Sequence, residues 1–204
     1  MLSQCRYIHI IKMEQELDET KYTKIYVGLG KYSIIDKEDE ERVKYYNWCI
    51  KLKTKGINGR SSGESIKCWS EDGKVLTLSK FILNKETPKG FVIDHINRNP
   101  LDNRKENLRL ATKQQNAFNT EKYQFTKRPS KSKYKGVRLK TGKNPWIATL
   151  NIKGKSIHFG CFKEEKEAAE KADLEMFRVA GIFAYLNFPE KLEEYKQKLL
   201  DEQQ

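Results

Sequence analysis

Residues 92–119 constrain the fold more than any other stretch, and they read VIDHINRNPLDNRKENLRLATKQQNAFN. Alternation in the apolar run predicts a strand that ends at the pair Asp94-His95, because successive side chains of a strand point to opposite faces. An Asn- and Pro-rich loop follows, and the run LRLAT predicts a second, antiparallel strand. Thr112 and Gln115 have the spacing of a capping box, which predicts that a helix begins there. The local unit is therefore strand, loop, strand and helix.

This unit is expected to bring Asp94 and His95 close to Asn116, which shares one face of the predicted helix with Asn119 three residues later. A carboxylate and an amide carbonyl are hard oxygen donors, which suit magnesium or manganese rather than zinc. An imidazole with an ordinary pKa of about 6.5 accepts a proton from water at neutral pH. These residue types favour metal-assisted hydrolysis of a phosphodiester.

A polar, turn-rich loop without chemistry is the alternative interpretation of the same stretch. Asn is common in turns because its side chain hydrogen-bonds to the nearby backbone. We interpret Asn97, Asn99 and Asn103 in that way, as turn formers. A lone Asp-His pair is usually structural as well, so the chemical interpretation depends on the whole spaced set.

That spaced set resembles a known family motif. Asp94-His95, NPLDNRKENLR at 99–109 and ATKQQNAFN at 111–119 resemble the HNH nuclease motif, in the variant whose last His is replaced by Asn. The family has the ββα-metal fold and includes phage and intron-encoded homing endonucleases. The segment SIIDKEDEERVKYYNW at 33–48 resembles the region that precedes the motif in such phage proteins, so the resemblance covers roughly residues 25–120.

The resemblance implies a role for each polar residue of the motif. His95 would be the general base, and Asp94 and Asn116 would be ligands of a divalent metal, Mg or Mn. Asn107 would brace the loop and orient the His through hydrogen bonds. Asn119 would contact the phosphate or only complete the helix.

The charge of the chain indicates a polyanionic partner. The 204 residues carry a formal net charge of +12, and such a basic field raises the rate of encounter with phosphate backbones. Positions 121–160 hold eleven Lys and Arg residues against one acidic residue, Glu121. Residues 121–133 have a Pro and no apolar periodicity, so we predict a basic linker there.

Residues 134–188 predict a second, smaller domain. Three β-type runs, YKGVRL, WIATLNIK and KSIHFGCF, are separated by turns that contain Gly, and an Ala-rich segment with near-helical spacing follows them. A three-stranded antiparallel sheet with one face covered by a helix fits this order. The tail 189–204 begins with Pro189 and predicts a short charged helix. The fold class predicted for the chain is α+β.

The second domain resembles the plant APETALA/ethylene-response type of DNA-binding domain, also found appended to phage HNH nucleases. The match covers about residues 132–189 and depends on YKGVR, FGCF, EAA and LNFP. In that family the sheet enters the major groove of DNA. The positions that would then face DNA are Lys135, Arg138, Lys140, Thr149, Asn151, Ser156 and His158.

The last four of these positions depart from the plant pattern, so the family's base preferences do not carry over. Trp146 aligns with an apolar position, and alternation places it with Ala148, Leu150 and Ile152 toward the helix. We therefore predict Trp146 in the core rather than against DNA. A solvated basic surface is the alternative interpretation of the Lys and Arg residues.

The sequence as a whole predicts a metal-dependent DNA endonuclease of the homing type. We expect an N-terminal extension (1–23), a nuclease domain (24–120), the linker (121–133), a DNA-binding domain (134–188) that targets duplex DNA, and a C-terminal helix (189–204). A non-catalytic DNA-binding protein or regulator and an RNA-binding accessory protein are the alternatives.

The sequence also bears on membrane association, disulfides and localisation. No apolar run approaches the roughly 20 residues of a membrane helix, and the start of the chain lacks the layout of a signal peptide. The four cysteines are far apart and form no C-x-x-C pair, so no disulfide framework is indicated. We expect a cytoplasmic protein, a monomer or weak dimer, with no membrane partner.

Overall fold

The computed structural model describes residues 17–52, 54, 55, 61, 62, 64–84, 86–121 and 131–203. Most of the predicted N-terminal extension and most of the predicted linker lie outside these residues. The chain divides into two compact units. The first comprises the described part of Met1–Lys89 with Ile93–Leu110, and the second comprises Gly90–Val92 with the described part of Ala111–Gln204. The domain boundaries predicted from the sequence remain predictions.

Short strands and two short helices build the first unit. The strands are β1 (Tyr22–Tyr26), β2 (Tyr32–Asp36), β3 (Cys49–Lys51), β4 (Thr54–Lys55), β5 (Ser61–Ser62), β6 (Ser65–Trp69) and β7 (Val75–Thr77). The helices are α1 (Glu40–Lys44) and α2 (Leu78–Leu83). β1 pairs antiparallel with β2, β4 pairs antiparallel with β5, and β3, β6 and β7 form an antiparallel sheet in that order.

A further two-stranded sheet contributes residues to both units. It consists of β8 (Phe91–His95) and β9 (Leu108–Thr112). The amide of Ile96 donates to the carbonyl oxygen of Asn107 at 2.9 Å, which joins the end of β8 to the start of β9. The two strands therefore run antiparallel, as the sequence predicts.

Alternation along β1 and β2 creates the core of the first unit. Ile25 and Ile35 point inward and are buried, whereas Tyr26 and Tyr32 point outward and are exposed. Burial of an aliphatic side chain of this size stabilises the fold by about 1.5–3 kcal/mol. The other buried members of this core are Val27, Val43, Trp48, Ile66, Cys68, Leu78, Ile82 and Leu108.

β2 also holds the loop that connects β8 to β9. The amide of Ile34 donates to the carbonyl oxygen of Leu101, and the amide of Asn103 donates to the carbonyl oxygen of Ile34, both at 2.8 Å. The side chain of Asp36 accepts a hydrogen bond from the amide of Lys105 at 2.7 Å. The hairpin of β1 and β2 is therefore the support on which this loop is built.

The second unit combines a helix that follows β9 with a sheet and two later helices. The helices are α3 (Lys113–Phe118), α4 (Glu165–Ala180) and α5 (Leu192–Asp201), and the strands are β10 (Val137–Leu139), β11 (Trp146–Ile152) and β12 (Lys155–Phe162). The three strands are antiparallel and lie in sequence order. Thr112 caps α3 in a complete capping box with Gln115, as the sequence predicts.

Small residues allow α4 to lie close to this sheet. Ala168, Ala169 and Ala172 of α4 form a buried cluster with Val137 and Ala148. Gly136 has φ of +79°, and a Cβ added there would lie 2.9 Å from the Cβ of Ala172. A residue with a side chain is therefore disfavoured at position 136 both by its backbone conformation and by contact with α4.

Several expectations about the fold are confirmed. The mixture of small sheets and helices confirms the α+β class. Trp146 packs against the buried cluster of the second unit, as predicted. Among the described residues, no helix is both long and apolar enough to cross a membrane.

Candidate active site

β8 ends with the two residues that carry the strongest chemical signal in the sequence. Asp94 is buried, and His95 beside it is half-buried. Arg109, from the adjacent strand β9, donates from Nε at 2.9 Å and from Nη2 at 2.8 Å to the same oxygen of Asp94, Oδ2. Hydrogen bonds between ionised partners are short and strong, so this pair fixes the orientation of the carboxylate.

Asn107 braces the loop between β8 and β9. Its Nδ2 donates to Oδ1 of Asn97 at 2.9 Å and to the carbonyl oxygen of Asp102 at 2.8 Å, and its Oδ1 accepts from the amide of Asn97 at 2.9 Å. Three hydrogen bonds from one buried amide tie both ends of the loop together. These bonds reach the backbone of Asn97 and Asp102 and the side chain of Asn97, which are the contacts of a loop brace, and the role of Asn107 in orienting His95 remains a prediction.

The contact to the His95 ring comes from Asn103, which the sequence analysis interprets only as a turn former. Nε2 of His95 lies 3.2 Å from Oδ1 of Asn103. Nδ2 of Asn103 donates to Oγ of Ser33 at 3.0 Å and to the carbonyl oxygen of Pro100 at 2.9 Å. The Pro100 carbonyl can only accept, so the amide orientation is fixed and Oδ1 is the atom that faces His95.

This orientation determines the tautomer of His95. An amide oxygen only accepts hydrogen bonds, so Nε2 must carry the proton. Nδ1 is then the basic nitrogen of the neutral ring. Burial lowers the pKa of His95 below its ordinary value of 6.5, against the opposing effects of Asn103, Asp94 and Asp102. The ring is therefore neutral at neutral pH, as a general base requires.

Asn116 and Asn119 lie on or next to α3, in the second unit. Asn116 is half-buried within the helix. Asn119 is buried at the helix C-terminus, where its amide donates to the carbonyl oxygen of Gln115 at 3.2 Å. This backbone bond closes α3 and does not decide between the two predicted roles of the Asn119 side chain, which remain predictions, as does the ligand role of Asn116.

Most of the predicted DNA-facing positions are exposed on the second unit's sheet. Asn151 on β11 lies directly opposite Ser156 on β12. The exposed members of the predicted set are Arg138, Lys140, Asn151, Ser156 and His158.

Two members of that set, Thr149 and Lys135, are not exposed on the sheet. The register of β11 shifts between Ile147 and Thr149, and Thr149 is only 5% exposed. The ammonium group of Lys135 donates to the carbonyl oxygens of Phe118 and Thr120 at 2.7 Å each, at the C-terminal end of α3. Lys135 therefore satisfies helix-end carbonyls, and both residues are removed from the predicted DNA-contacting set.

The sequence analysis also gives no role to Arg109. Arg109 belongs to the NLR part of the motif, and an Arg four residues before the predicted helix is a common surface feature. The predicted pairing of the two strands could have identified Arg109 as a partner of Asp94, because side chains on neighbouring strands interact. Asn103 had no comparable signal, since its partner Ser33 lies 70 residues earlier.

A buried carboxylate and a half-buried imidazole thus lie together at the end of β8, next to a braced loop, and the comparisons with known proteins identify the class of protein. The family model described as HNH endonuclease matches residues 85–118. The chain belongs to the HNH endonuclease family and is a nuclease.

Two viral proteins are similar to the chain over different lengths. The Uncharacterized HNH endonuclease L560 of Acanthamoeba polyphaga mimivirus is 30% identical over 175 residues, which cover 84% of this chain and 78% of that protein. Protein 3.8 of Escherichia phage T7 is 36% identical over 76 residues, which cover 37% of this chain and 60% of that protein. No solved structure matches the chain.

Proposed function

We propose that the protein is a metal-dependent endonuclease of the homing type that hydrolyses phosphodiester bonds of double-stranded DNA. The observation that carries this proposal is the contact between Nε2 of His95 and the fixed amide oxygen of Asn103. It leaves Nδ1 as the nitrogen that takes a proton from water.

His95 acts as the general base. Its Nδ1 accepts a proton from the water whose oxygen attacks phosphorus, and a new P–O bond forms as the bond to the leaving oxygen breaks. General base catalysis of this kind contributes about 10²–10⁴ in rate. Asn103 keeps the proton on Nε2, and the loop braced by Asn107 keeps the ring in place.

The chemistry of Asp94 and Asn116 suits a hard divalent cation. Asp94 is a carboxylate held in one orientation by Arg109, and carboxylate and amide oxygens suit Mg or Mn. Asp94 would hold the ion with Asn116, in the variant of the motif that has Asn in the last position. When bound, the ion would stabilise the negative charge on the phosphate and the leaving oxygen.

The sheet of the second unit would direct the nuclease to its substrate, as in an APETALA-like DNA-binding domain. Arg138, Lys140, Asn151, Ser156 and His158 are exposed on it. The basic side chains would contact phosphates, and the polar side chains would contact base edges in the major groove.

Cleavage of supercoiled plasmid and a panel of linear duplexes tests this function. We expect cutting with Mg²⁺ or Mn²⁺, no cutting with EDTA, and loss of about 10²–10⁴ in rate for His95→Ala. Lys196→Ala, an exposed position on α5, is the control and should cut like the wild type. The proposal fails if the purified protein leaves all substrates uncut, or if His95→Ala cuts as fast as the wild type.

A further inference from the structure

The turn between β1 and β2 presents an exposed apolar cluster, which we call the hairpin tip (residues 26–32). Tyr26 is 59% exposed, Leu29 is 67% exposed and Tyr32 is 54% exposed. The two tyrosine rings contact each other edge to face, with centroids 5.5 Å apart. Three large side chains at one exposed turn are more apolar surface than a solvated loop requires.

The hairpin tip has a defined backbone conformation. The amide of Val27 donates to the carbonyl oxygen of Lys31, and the amide of Lys31 donates to the carbonyl oxygen of Gly28, both at 3.0 Å. Leu29 has φ of +55° between two glycines that also have positive φ. A leucine is disfavoured in this conformation. The turn therefore holds an apolar side chain outward where Gly or Asn would fit the backbone better.

The hairpin tip is joined rigidly to the candidate active site. Ser33, the residue after Tyr32, accepts from Asn103, and Asn103 contacts His95. Leu29 and Ser33 are four residues apart in the chain, so the tip adjoins the hydrogen bonds that lead to His95.

The charge around the tip matches a polyanion. Residues 24–35 contain two lysines, Lys24 and Lys31, and no Asp or Glu. Lys24 is exposed on β1. A cationic hairpin with outward aromatic and aliphatic side chains combines phosphate attraction with apolar contact to sugars and bases.

We propose that the hairpin tip inserts into the minor groove of the substrate duplex near the cleaved phosphate, with Leu29 and Tyr32 contacting sugars and base edges. This inference rests on the proposed function, because it takes duplex DNA as the substrate. Apolar wedges of this kind read groove width rather than a base sequence. The tip would therefore hold the duplex against the active site, whatever sequence the second unit selects.

The double variant Leu29→Asn/Tyr32→Thr tests the proposal in the full chain. Asn tolerates positive φ and Thr suits a strand, so the hairpin is retained while the apolar surface is lost. Trp69→Thr is the matched control, because Trp69 is 73% exposed on β6 in the same unit. The probes are a fluorescent mixed-sequence duplex of about three helical turns, roughly 30 bp, and supercoiled plasmid with Mg²⁺.

We expect the double variant to bind the duplex about 5- to 30-fold more weakly, as the loss of about 1–2 kcal/mol requires, with KM raised more than kcat is lowered. The dependence of log Kd on log salt should keep its slope, since no cation is removed. Trp69→Thr should change Kd less than twofold. Sedimentation velocity should give the same mass for variant and wild type.

An unchanged Kd and KM in the double variant would overturn the proposal, as would an equal loss in Trp69→Thr. A dimer that becomes monomeric in the double variant, with Kd unchanged, would assign the tip to self-association and overturn it too. If the wild type fails to cut the plasmid, the proposed function fails, while the duplex affinities still decide the role of the tip.

Discussion

The loop between β8 and β9 and the exposed face of the second unit's sheet are both polar, but the loop contains buried amide side chains. Asn103 and Asn107 have exposed fractions of 1% and 6% and fixed hydrogen-bond partners. Arg138, Asn151 and His158 are exposed. A buried amide has its orientation dictated by its neighbours, whereas an exposed side chain acts mainly through charge and contact with a partner. Substitutions in the loop should therefore change the rate of DNA cleavage, whereas substitutions on the sheet should change the affinity for DNA.

Asn103→Ala should have the largest effect among the positioning residues. Without the amide oxygen, His95 loses the contact that selects its Nε2–H tautomer. We expect kcat to fall about 10- to 100-fold, the range seen when an orienting partner of a site residue is lost, with KM nearly unchanged. Steady-state cleavage of plasmid measures both constants. If KM rises and kcat does not fall, Asn103 acts on the substrate and not on the base.

Asn107→Ala should destabilise the loop and not only slow the reaction. It removes the donor to the carbonyl oxygen of Asp102 in a buried hydrogen bond, and loss of a partner for a buried polar group costs about 1–3 kcal/mol of unfolding free energy. Urea unfolding followed by tryptophan fluorescence measures this loss, with Glu106→Ala, an exposed neighbour, as the control. Equal stability of the two variants would contradict the assignment of Asn107 as the brace.

Asp173 is a buried polar side chain of the second unit. It tests whether burial has the same effect on a polar group there as in the loop of the first unit. It is buried in the second unit and accepts hydrogen bonds from the amides of Asn187 and Phe188 at 2.9 and 2.8 Å. Burial raises the pKa of Asp173 to about 6, although these hydrogen bonds act to lower it. The folded protein then keeps a proton between pH 3.8 and about 6 that the unfolded chain releases. The contribution of Asp173 to stability must therefore fall as pH rises through that window.

Asp173→Asn removes this titration and serves as the reference. The wild-type free energy of unfolding minus that of Asp173→Asn should decline from about pH 4 to about pH 6 and then level off. Urea unfolding at several pH values measures the difference. A difference that rises with pH would mean that the hydrogen bonds outweigh burial and that the carboxylate is ionised in the fold.

Removal of exposed cations should have the smallest effect. Arg138→Ala and Lys140→Ala are each expected to weaken duplex binding about 3- to 10-fold, to reduce the slope of log Kd against log salt by about one, and to leave kcat unchanged. Fluorescence anisotropy across a salt series measures both quantities. Thr149→Val, a buried position on the same sheet, should leave the salt slope as it is.

The sequence predicted the elements that follow from local patterns. Alternation around Asp94 predicted β8, and the spacing of Thr112 and Gln115 predicted the start of α3, because both signals lie within a few residues. Asn103 was misinterpreted because its orientation depends on Ser33 and Pro100, and the Ser33 contact comes from a different hairpin. Thr149 was misplaced because an irregular register in β11 breaks the alternation that placed it outward.

The tautomer of His95 is the most direct test of the account, because the proposed mechanism requires a basic Nδ1. The chain has three histidines, His9, His95 and His158, so ¹⁵N-histidine labelling with His95→Ala for assignment resolves the ring in the full-length protein. At about pH 7.5 the account predicts a neutral His95 ring with a proton-bearing Nε2 and an unprotonated Nδ1. A ring with the proton on Nδ1, or one protonated at both nitrogens, would contradict it.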